Sequence, residues 1–563
     1  MKVMTRRTFL EASGLGLAGA AVFKSFHAIL SAAALPKPNI VLFMVDDLGW
    51  QDTSEPFYIR RTLFNDRYKT PAMERLARQG LKFSQAYSCA VCSPTRVSLM
   101  TGMNAARHRV TNWTLRKNTS TDAAHETLRF PEWNMNGMSP VPGIERTVHA
   151  TPLPALLHKA GYRTIHCGKA HLGAIDTPAA DPKNIGFDVN IAGHAGGGPG
   201  SYLGLHEFSA VWRGGDRVWD VPDLDPYHGQ DIFLTEALTR EALKAVDTAL
   251  GEGRPFFLYM SHYAVHTPIE EDNRFLQKYI DGGLDPIEAK YAAMVEGVDK
   301  SLDDIMGFLE KKGAAGNTVV LFMSDNGGLS ATGRGGTPHT HNKPLSSGKG
   351  SAHEGGIREP MIVKWPGVVK PGTVCETPVM IEDFFPTLLE MAGVGESKTV
   401  QPVDGTSFMP LLRGRGTFPK ERALFWHYPN NWGPTGPGIG PSSTVRKGDW
   451  KLIYYHADRR FELFNLAEDI GESSNLADKN QAKVAEMAEL LTRYLKSVDA
   501  QMPVDKRTGR PVEWPLDALP RSSNKQDRLR VPVEESVGID EVNDHFYDPL
   551  AIEENYIFYK RSE

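Results

Sequence analysis

Two segments far apart in this chain read almost alike. Asn39 to Val45, Asn-Ile-Val-Leu-Phe-Met-Val, leads into Asp46-Asp47. Val320-Leu321-Phe322-Met323 leads through Ser324 into Asp325-Asn326-Gly327-Gly328. A continuous apolar run with no polar alternation reads as a strand buried on both faces, the habit of a parallel sheet covered by helices. Nothing else near the two segments matches, so this is not an internal repeat. It reads as two strands that end at one metal. Their tips carry only oxygen donors, a set that suits Ca²⁺ or Mg²⁺ and not zinc.

The chain between them alternates helix and strand. Thr70-Pro71 to Gly80 has a capping Thr, Pro at the first helical position and a terminal Gly. Thr151 to Gly161 reads as a helix that feeds a strand from Tyr162 to Cys167, and Pro255 to Met260 reads as another buried strand. Tyr291, Met294, Val295, Val298, Leu302, Ile305 and Leu309 mark one face of a long helix that stops at Gly313. The pattern predicts an α/β domain, residues 38–414, with helices on both faces of the sheet. Ligands of such sheets gather at the carboxyl ends of the strands, where most of the polar candidates lie. From about residue 415 to 500 the signals change. Strands are expected over Ala423 to Tyr428, Thr444 to Tyr455 with a turn at Lys447-Gly448-Asp449, and Phe461 to Leu466. A helix with Val484, Met487, Leu491 and Tyr494 on one face follows, which makes a small α+β domain. The polar, Pro-rich extension over 501–563 is either a wrapping segment or partly disordered.

The 563 residues allow a large core and two domains. A formal net charge of -5 carries no polybasic signature of nucleic-acid binding, so attraction for an anion has to come from local clusters. Four cysteines are too few for a disulfide scaffold. Cys89 and Cys92 form a C-x-x-C that is open to a redox or zinc reading, but no second C-x-x-C accompanies it. Thr5-Arg6-Arg7-Thr8-Phe9-Leu10, a short Gly/Ala-rich apolar stretch from Ala12 to Phe23 and Ala32-Ala33-Ala34 resemble a twin-arginine signal peptide over 1–34; a soluble helix is the alternative. Lys24 and His27 interrupt the apolar stretch, so no membrane span is expected in the mature chain.

Cys92-Ser93-Pro94-Thr95-Arg96, continued by Val97-Ser98-Leu99-Met100-Thr101-Gly102, resembles the signature of type I sulfatases, with Met100 where Leu is commoner. The resemblance spans about Pro38 to Leu495. It implies an alkaline-phosphatase-like mixed sheet sandwiched by helices, a smaller C-terminal α+β domain, and an arylsulfatase-like sulfuric ester hydrolase. In that family a maturing enzyme oxidises the Cys to formylglycine, whose hydrate is the nucleophile. Asp46, Asp47, Asp325 and Asn326 match the positions that bind Ca²⁺, and Arg96 is expected to pair with Cys92 and the metal-site carboxylates. Gly168-Lys169-Ala170-His171-Leu172-Gly173 resembles the turn whose Lys holds a sulfate oxygen and whose His assists the second hydroxyl. Gly348-Lys349-Gly350 before Glu354-Gly355-Gly356-Ile357-Arg358 resembles the block with another sulfate-binding Lys; Glu354 and Arg358 read as a buried ion pair.

His266, in His266-Thr267-Pro268, is the expected leaving-group acid, with His262 as competitor. Gly193 to Gly200, and Gly333 to Asn342 with His339 and His341, are either substrate-contact loops at the rim or mobile connectors. The combined expectation is an exported, periplasmic or secreted enzyme that hydrolyses a sulfate monoester, on a small molecule or a glycan, to an alcohol and inorganic sulfate. Its other partners would be a sulfatase-maturing enzyme and the twin-arginine machinery. A formylglycine phosphonate or phosphodiester hydrolase, and a non-catalytic sulfoglycan-binding protein, are the rival readings.

Overall fold

The two look-alike strands lie side by side, parallel and in register: Val41 pairs with Val320, Leu42 with Leu321, Phe43 with Phe322 and Met44 with Met323. The structure is a computed structural model that describes residues 37–329, 342–395 and 398–520. The signal-peptide segment, the loop from Gly333 to His341 and the last part of the extension lie outside the described residues.

Nine strands among the described residues form the central sheet: β1 (Asn39–Val45), β2 (Leu81–Tyr87), β3 (Arg163–Gly168), β4 (Val189–Ile191), β5 (Phe256–Ser261), β6 (Thr318–Ser324), β7 (Arg358–Lys364), β8 (Thr373–Cys375) and β9 (Val379–Met380). The order is β8-β2-β7-β6-β1-β5-β3-β4, with β9 on β2 as well. β7 alone runs against its neighbours, antiparallel to both β6 and β2, so the sheet is mixed. The other pairings are parallel.

Among the described residues the main helices that cover the two faces are α1 (Pro71–Gln79), α2 (Cys92–Thr101), α3 (Leu153–Lys159), α4 (Leu234–Gly251), α5 (Pro286–Lys311) and α6 (Phe384–Met391). Val41, Phe43 and Val45 of β1 face the cluster built with α1, α4 and α5. Ile40, Leu42 and Met44 face the cluster built with α2, α3 and α6. This is why the strand sequence does not alternate: each side chain, whichever way it points, meets an apolar layer. The expected face of the long helix is buried from Tyr291 to Leu309. Helix α2 is buried along its whole length, from Cys92 to Thr101.

The C-terminal region has its own four-stranded antiparallel sheet, β10 (Leu424–Tyr428), β11 (Ser442–Lys447), β12 (Trp450–Tyr455) and β13 (Phe461–Asn465), packed on α7 (Gln481–Ser497). The turn signal sits where expected, with Gly448 at φ 57° between β11 and β12. The extension as far as residue 520 wraps: Val504–Asp505 pairs with Leu128–Arg129 and with Arg510–Pro511, and Val512 joins the α7 cluster.

A buried ionic network joins this region to the main sheet. Glu354 accepts from Lys451 at 3.0 Å, Arg358 at 3.2 Å and Tyr87 at 2.7 Å, and Lys451 also meets Glu472 at 2.9 Å. The expected Glu354–Arg358 ion pair is therefore part of a larger cluster. Lys451→Ala leaves buried carboxylates without their shared cation, and breaking such a pair costs about 3–5 kcal/mol. Urea unfolding should show a loss of that size; a loss below about 1 kcal/mol, the range of an exposed pair, would mean the network is not desolvated.

Candidate active site

Because β1 and β6 are in register, Asp46-Asp47 and Asp325-Asn326 leave the sheet together. The amide of Asp325 donates to the Val45 carbonyl at 3.0 Å, and the amide of Asp47 donates to Asp325 Oδ1 at 3.3 Å. Asp46, Asp47 and Asp325 each offer an oxygen within 4.8 Å of the others, and all three are buried. The loop after β5 closes one side: the amide of Asp46 donates to Ala264 O at 3.0 Å, and that of Val265 to Asp46 O at 2.6 Å. Asp46 Oδ1 and Asn326 Oδ1 are buried acceptors with no hydrogen-bond partner. Buried acceptors are ordinarily satisfied, so two of them aimed into one acidic cradle fit a hard cation.

Three cations already balance the cradle. Lys169 Nζ lies 2.5 Å from Asp46 Oδ2 and Lys349 Nζ 2.8 Å from Asp47 Oδ1. Arg96 donates to Asp325 Oδ2 from Nε at 2.9 Å. Its Nη1 reaches the Lys169 carbonyl at 2.9 Å and Ser261 Oγ at 2.5 Å. Arg96 thus ties α2 to the tips of β3, β5 and β6; its hydrogen bonds go to these groups and not to Cys92, a departure from the sequence expectation. The reason is helix geometry: its planar guanidinium reaches across the strand ends, where acceptors lie in fork geometry. Burial and the Asp325 carboxylate hold the Asp46 carboxyl well above its ordinary range. At Asp47 burial acts in the same sense, but the basic neighbours together, Lys349 foremost among them, outweigh it and keep the carboxyl ionised.

Cys92 is the first residue of α2, and its Sγ is 3.2 Å from His171 Nδ1. His171 Nε2 is 2.7 Å from the Thr114 carbonyl. A carbonyl only accepts, so Nε2 carries the proton and the Nδ1 lone pair faces residue 92. Burial, reinforced by the Lys169 ammonium, keeps this imidazole neutral. Burial also raises the Cys92 thiol, against the pull of Lys169 and Lys349. Cys89 turns elsewhere, with Sγ 4.0 Å from Ser98 Oγ, and burial pushes its thiol up to about 12. Cys89 and Cys92 are both free cysteines that turn to separate partners, which favours a separate role for each.

His266 takes the place expected of it. Its Nδ1 lies 2.8 Å from the Thr267 carbonyl, so Nε2 is turned inward, 3.9 Å from Asp47 Oδ2. Burial and then Lys349 push it down to about 3. It is therefore neutral here, and the acid role expected of it needs a proton gained during the reaction. The competitor His262 is a core residue that bonds Ser301 Oγ at 2.9 Å and packs on Phe43.

The Gly193–Gly200 segment is mostly buried behind the histidines, so it is backing and not rim. A Cβ on Gly197 would lie 2.4 Å from His171 Cε1, and one on Gly198 2.9 Å from His266 Nδ1. Of the other predicted rim loop only Asn342 is described; it donates to Gly328 O and Ser347 O at 2.9 Å each. Thr114, Ser261 and the Trp432 ring, 5.9 Å from Lys349 Nζ, escaped the sequence reading. No motif marks them, since each acts through a contact made only by the fold.

Comparison with known proteins agrees with this geometry. The sulfatase family model matches residues 38–394, and the model for the C-terminal part of N-sulphoglucosamine sulphohydrolase matches residues 348–501. A sulfatase of Formosa agariphila is 32% identical over 501 residues, covering 79% of this chain and 86% of that protein. The N-acetylgalactosamine-6-sulfatase of Mus musculus is 30% identical over 505 residues, covering 84% and 88%. Among solved structures, Ps i-CgsB superposes with a TM-score of 0.65 at 28% identity, covering 86% of this chain and 98% of that one. The same protein has been solved with k-i-k-neocarrahexaose.

A protein that binds a cation only when folded gains stability by mass action, about 2.7 kcal/mol at a hundredfold excess over Kd. Adding Ca²⁺ to chelator-treated protein should raise the melting temperature, and Asp46→Ala should remove that increment. An equal shift in both proteins would mean the cradle is not where the ion binds.

Proposed function

Since the chain belongs to the sulfatase family of the alkaline phosphatase superfamily, and is thereby a sulfuric ester hydrolase, we propose that it hydrolyses a sulfate monoester on a carbohydrate, using formylglycine made from Cys92 and Ca²⁺ held by Asp46, Asp47, Asp325 and Asn326. One observation carries the reading: Cys92 Sγ sits 3.2 Å from the unprotonated nitrogen of His171, beside three clustered carboxylates.

Oxidation of Cys92 supplies a hydrated aldehyde, with one hydroxyl to attack sulfur and a second whose deprotonation releases the sulfate. Ca²⁺ held by Asp46, Asp47, Asp325 and Asn326 would supply Lewis-acid charge for a sulfate oxygen and would favour the ionised nucleophile. The rest is the work of this chain's own groups. His171 Nδ1, held in one tautomer by Thr114, accepts a proton from residue 92. Lys169 and Lys349 bind sulfate oxygens. In the described state their charge goes to Asp46 and Asp47, the carboxylates assigned to the cation. Loading the cradle therefore lets the carboxylates and ammonium groups exchange partners, and leaves two buried positive groups facing the anionic ester. His266 Nε2 points at the same space and is the acid for the leaving oxygen. Burial and Lys349 hold it neutral at rest, so it takes up its proton as the negatively charged substrate arrives.

The carbohydrate assignment is supported by a relative named N-acetylgalactosamine-6-sulfatase and by a similar structure solved with k-i-k-neocarrahexaose. The N-terminal motif supports export by the twin-arginine route to the periplasm or beyond, a route for folded proteins that is compatible with prior action of a maturing enzyme on Cys92. Among the described residues no helix is long and apolar enough to cross a membrane.

Cys92→Ala should reduce turnover of 4-nitrophenyl sulfate by on the order of 10⁴ or more, as loss of a nucleophile does. Peptide mass analysis of the native protein should show residue 92 as the aldehyde; a free thiol in fully active enzyme would refute the mechanism. A large preference for an aryl phosphonate over the aryl sulfate would move the chain to the phosphonate hydrolases, and binding of sulfated glycans without turnover would make it a binding protein.

His266→Ala should cost about 10²–10⁴ on a sulfated sugar. On 4-nitrophenyl sulfate, whose leaving group needs little protonation, the loss should be much smaller. Equal losses on both esters would assign the acid role elsewhere.

A further inference from the structure

The C-terminal region supplies one aromatic side chain to the site, and no motif accounts for it. Trp432 lies in the loop between β10 and β11, half-buried, with its ring centroid 5.9 Å from Lys349 Nζ. The same ammonium is 2.8 Å from Asp47. The six-membered ring rests on the backbone of Gly350, where a Cβ would come within 2.2 Å of Cε3 and 2.7 Å of Cζ3; Gly350 has φ 83°, so the backbone as well as the space asks for glycine. The indole is therefore fixed against the residue that follows the sulfate-binding lysine.

The loop that carries it is held in place from the other side. Asn430 donates to Asp122 Oδ2 at 3.0 Å, and the Asn431 amide to Asp122 Oδ1 at 3.3 Å. The Ala123 amide donates back to Asn431 O at 3.0 Å, and Asn431 Nδ2 to Ala124 O at 3.0 Å. Asp122 also accepts from Asn112 at 3.0 Å, and Tyr428 donates to Asn112 at 2.9 Å. Two residues beyond Asn112 stands Thr114, whose carbonyl sets the tautomer of His171. One strap thus fixes both the base and the indole. A partly buried tryptophan packed on Gly350, in a loop tied down on both sides, is a pre-organised contact surface.

We propose that Trp432 is a substrate-positioning residue whose open ring surface packs against the apolar C–H face of the sulfated sugar while Lys349 holds the sulfate. Resting on the sulfatase reading above, this adds a substrate class: a pyranose with a C–H face next to the sulfated carbon, in preference to a flexible alkyl sulfate. An indole beside an ammonium gives an amphipathic wall suited to a ligand that is apolar on one side and anionic at one end. No proton or bond of the reaction passes through Trp432, so its loss changes binding and not chemistry.

The test is steady-state kinetics of Trp432→Ala, Trp432→Leu and Trp432→Phe on 4-nitrophenyl sulfate and on a panel of sulfated hexoses, with inhibition by inorganic sulfate measured in parallel. On the best hexose, W432A and W432L should raise KM about tenfold or more, as expected for a lost ring contact, with kcat changed little; W432F should recover most of the loss. Sulfate inhibition should stay at the wild-type value. Leu keeps bulk against Gly350, so W432L decides the matter if W432A does not fold. A wild-type KM in W432L overturns the proposal. So does an equal weakening of inorganic sulfate, which would mean the indole only holds Lys349. Wild-type enzyme that hydrolyses the aryl sulfate but no hexose sulfate would end the carbohydrate assignment and this inference with it. Converted enzyme active on neither would instead end the sulfatase reading.

Discussion

The site depends on the in-register pairing of two buried parallel strands. Because Met44 faces Met323 and Val45 faces Ser324, the next residues on each strand are carboxylates that cannot avoid one another. In a dry interior that proximity is costly, and it persists only with counter-charge in place. Lys169, Lys349 and Arg96 provide it from three other segments, each brought in by a different part of the sheet. A one-residue slip of β6 against β1 would turn its apolar side chains from one helix layer to the other and pull the acidic tips apart. The apolar core of the sheet and the charge balance of the site thus select the same register.

The C-terminal region is held to the catalytic sheet by buried ions. Lys451 lies between Glu354 and Glu472, and Arg446 reaches Tyr87 of β2. Ion pairs at such depth contribute less to stability than apolar packing of the same volume, but they are demanding of geometry. That demand has a use here. The loop between β10 and β11 stands against Lys349, so on the proposed function the angle at which the second sheet docks would shape the substrate's surroundings.

Much of this was legible in the sequence. The unbroken apolar runs gave the parallel core, because a strand covered on both faces has no polar side to display. The motif blocks around Cys92, Lys169 and Lys349 gave residues that the fold does bring to one place, and the post-strand position favoured His266 over His262. What stayed hidden has a common physical origin. Thr114 acts through its backbone carbonyl, which any residue would offer. Gly197 and Gly198 act by lacking a Cβ where two imidazoles pass, and a glycine-rich stretch reads as a loop wherever its packing is unknown. Trp432 acts across more than eighty residues of chain from Lys349. The resting state of His266 was hidden for a related reason: burial and a neighbouring ammonium lower the basicity of its imidazole, and neither is visible in a motif.

The chain carries a formal net charge of -5, yet its site has to attract an anion. The overall field opposes that approach weakly, and salt screens it beyond about 8 Å at physiological ionic strength. What decides is the local sum. Three carboxylates and three cations leave the cradle close to neutral by themselves. A divalent cation on the oxygen donors would tip it to positive at the position where Lys169, Lys349 and His266 converge. Metal and substrate are then linked in the thermodynamic sense: each favours the other, because the carboxylates can release the ammonium groups only when something else takes their charge. On the proposed function, the same lysines that pair with Asp46 and Asp47 would then form the anion site.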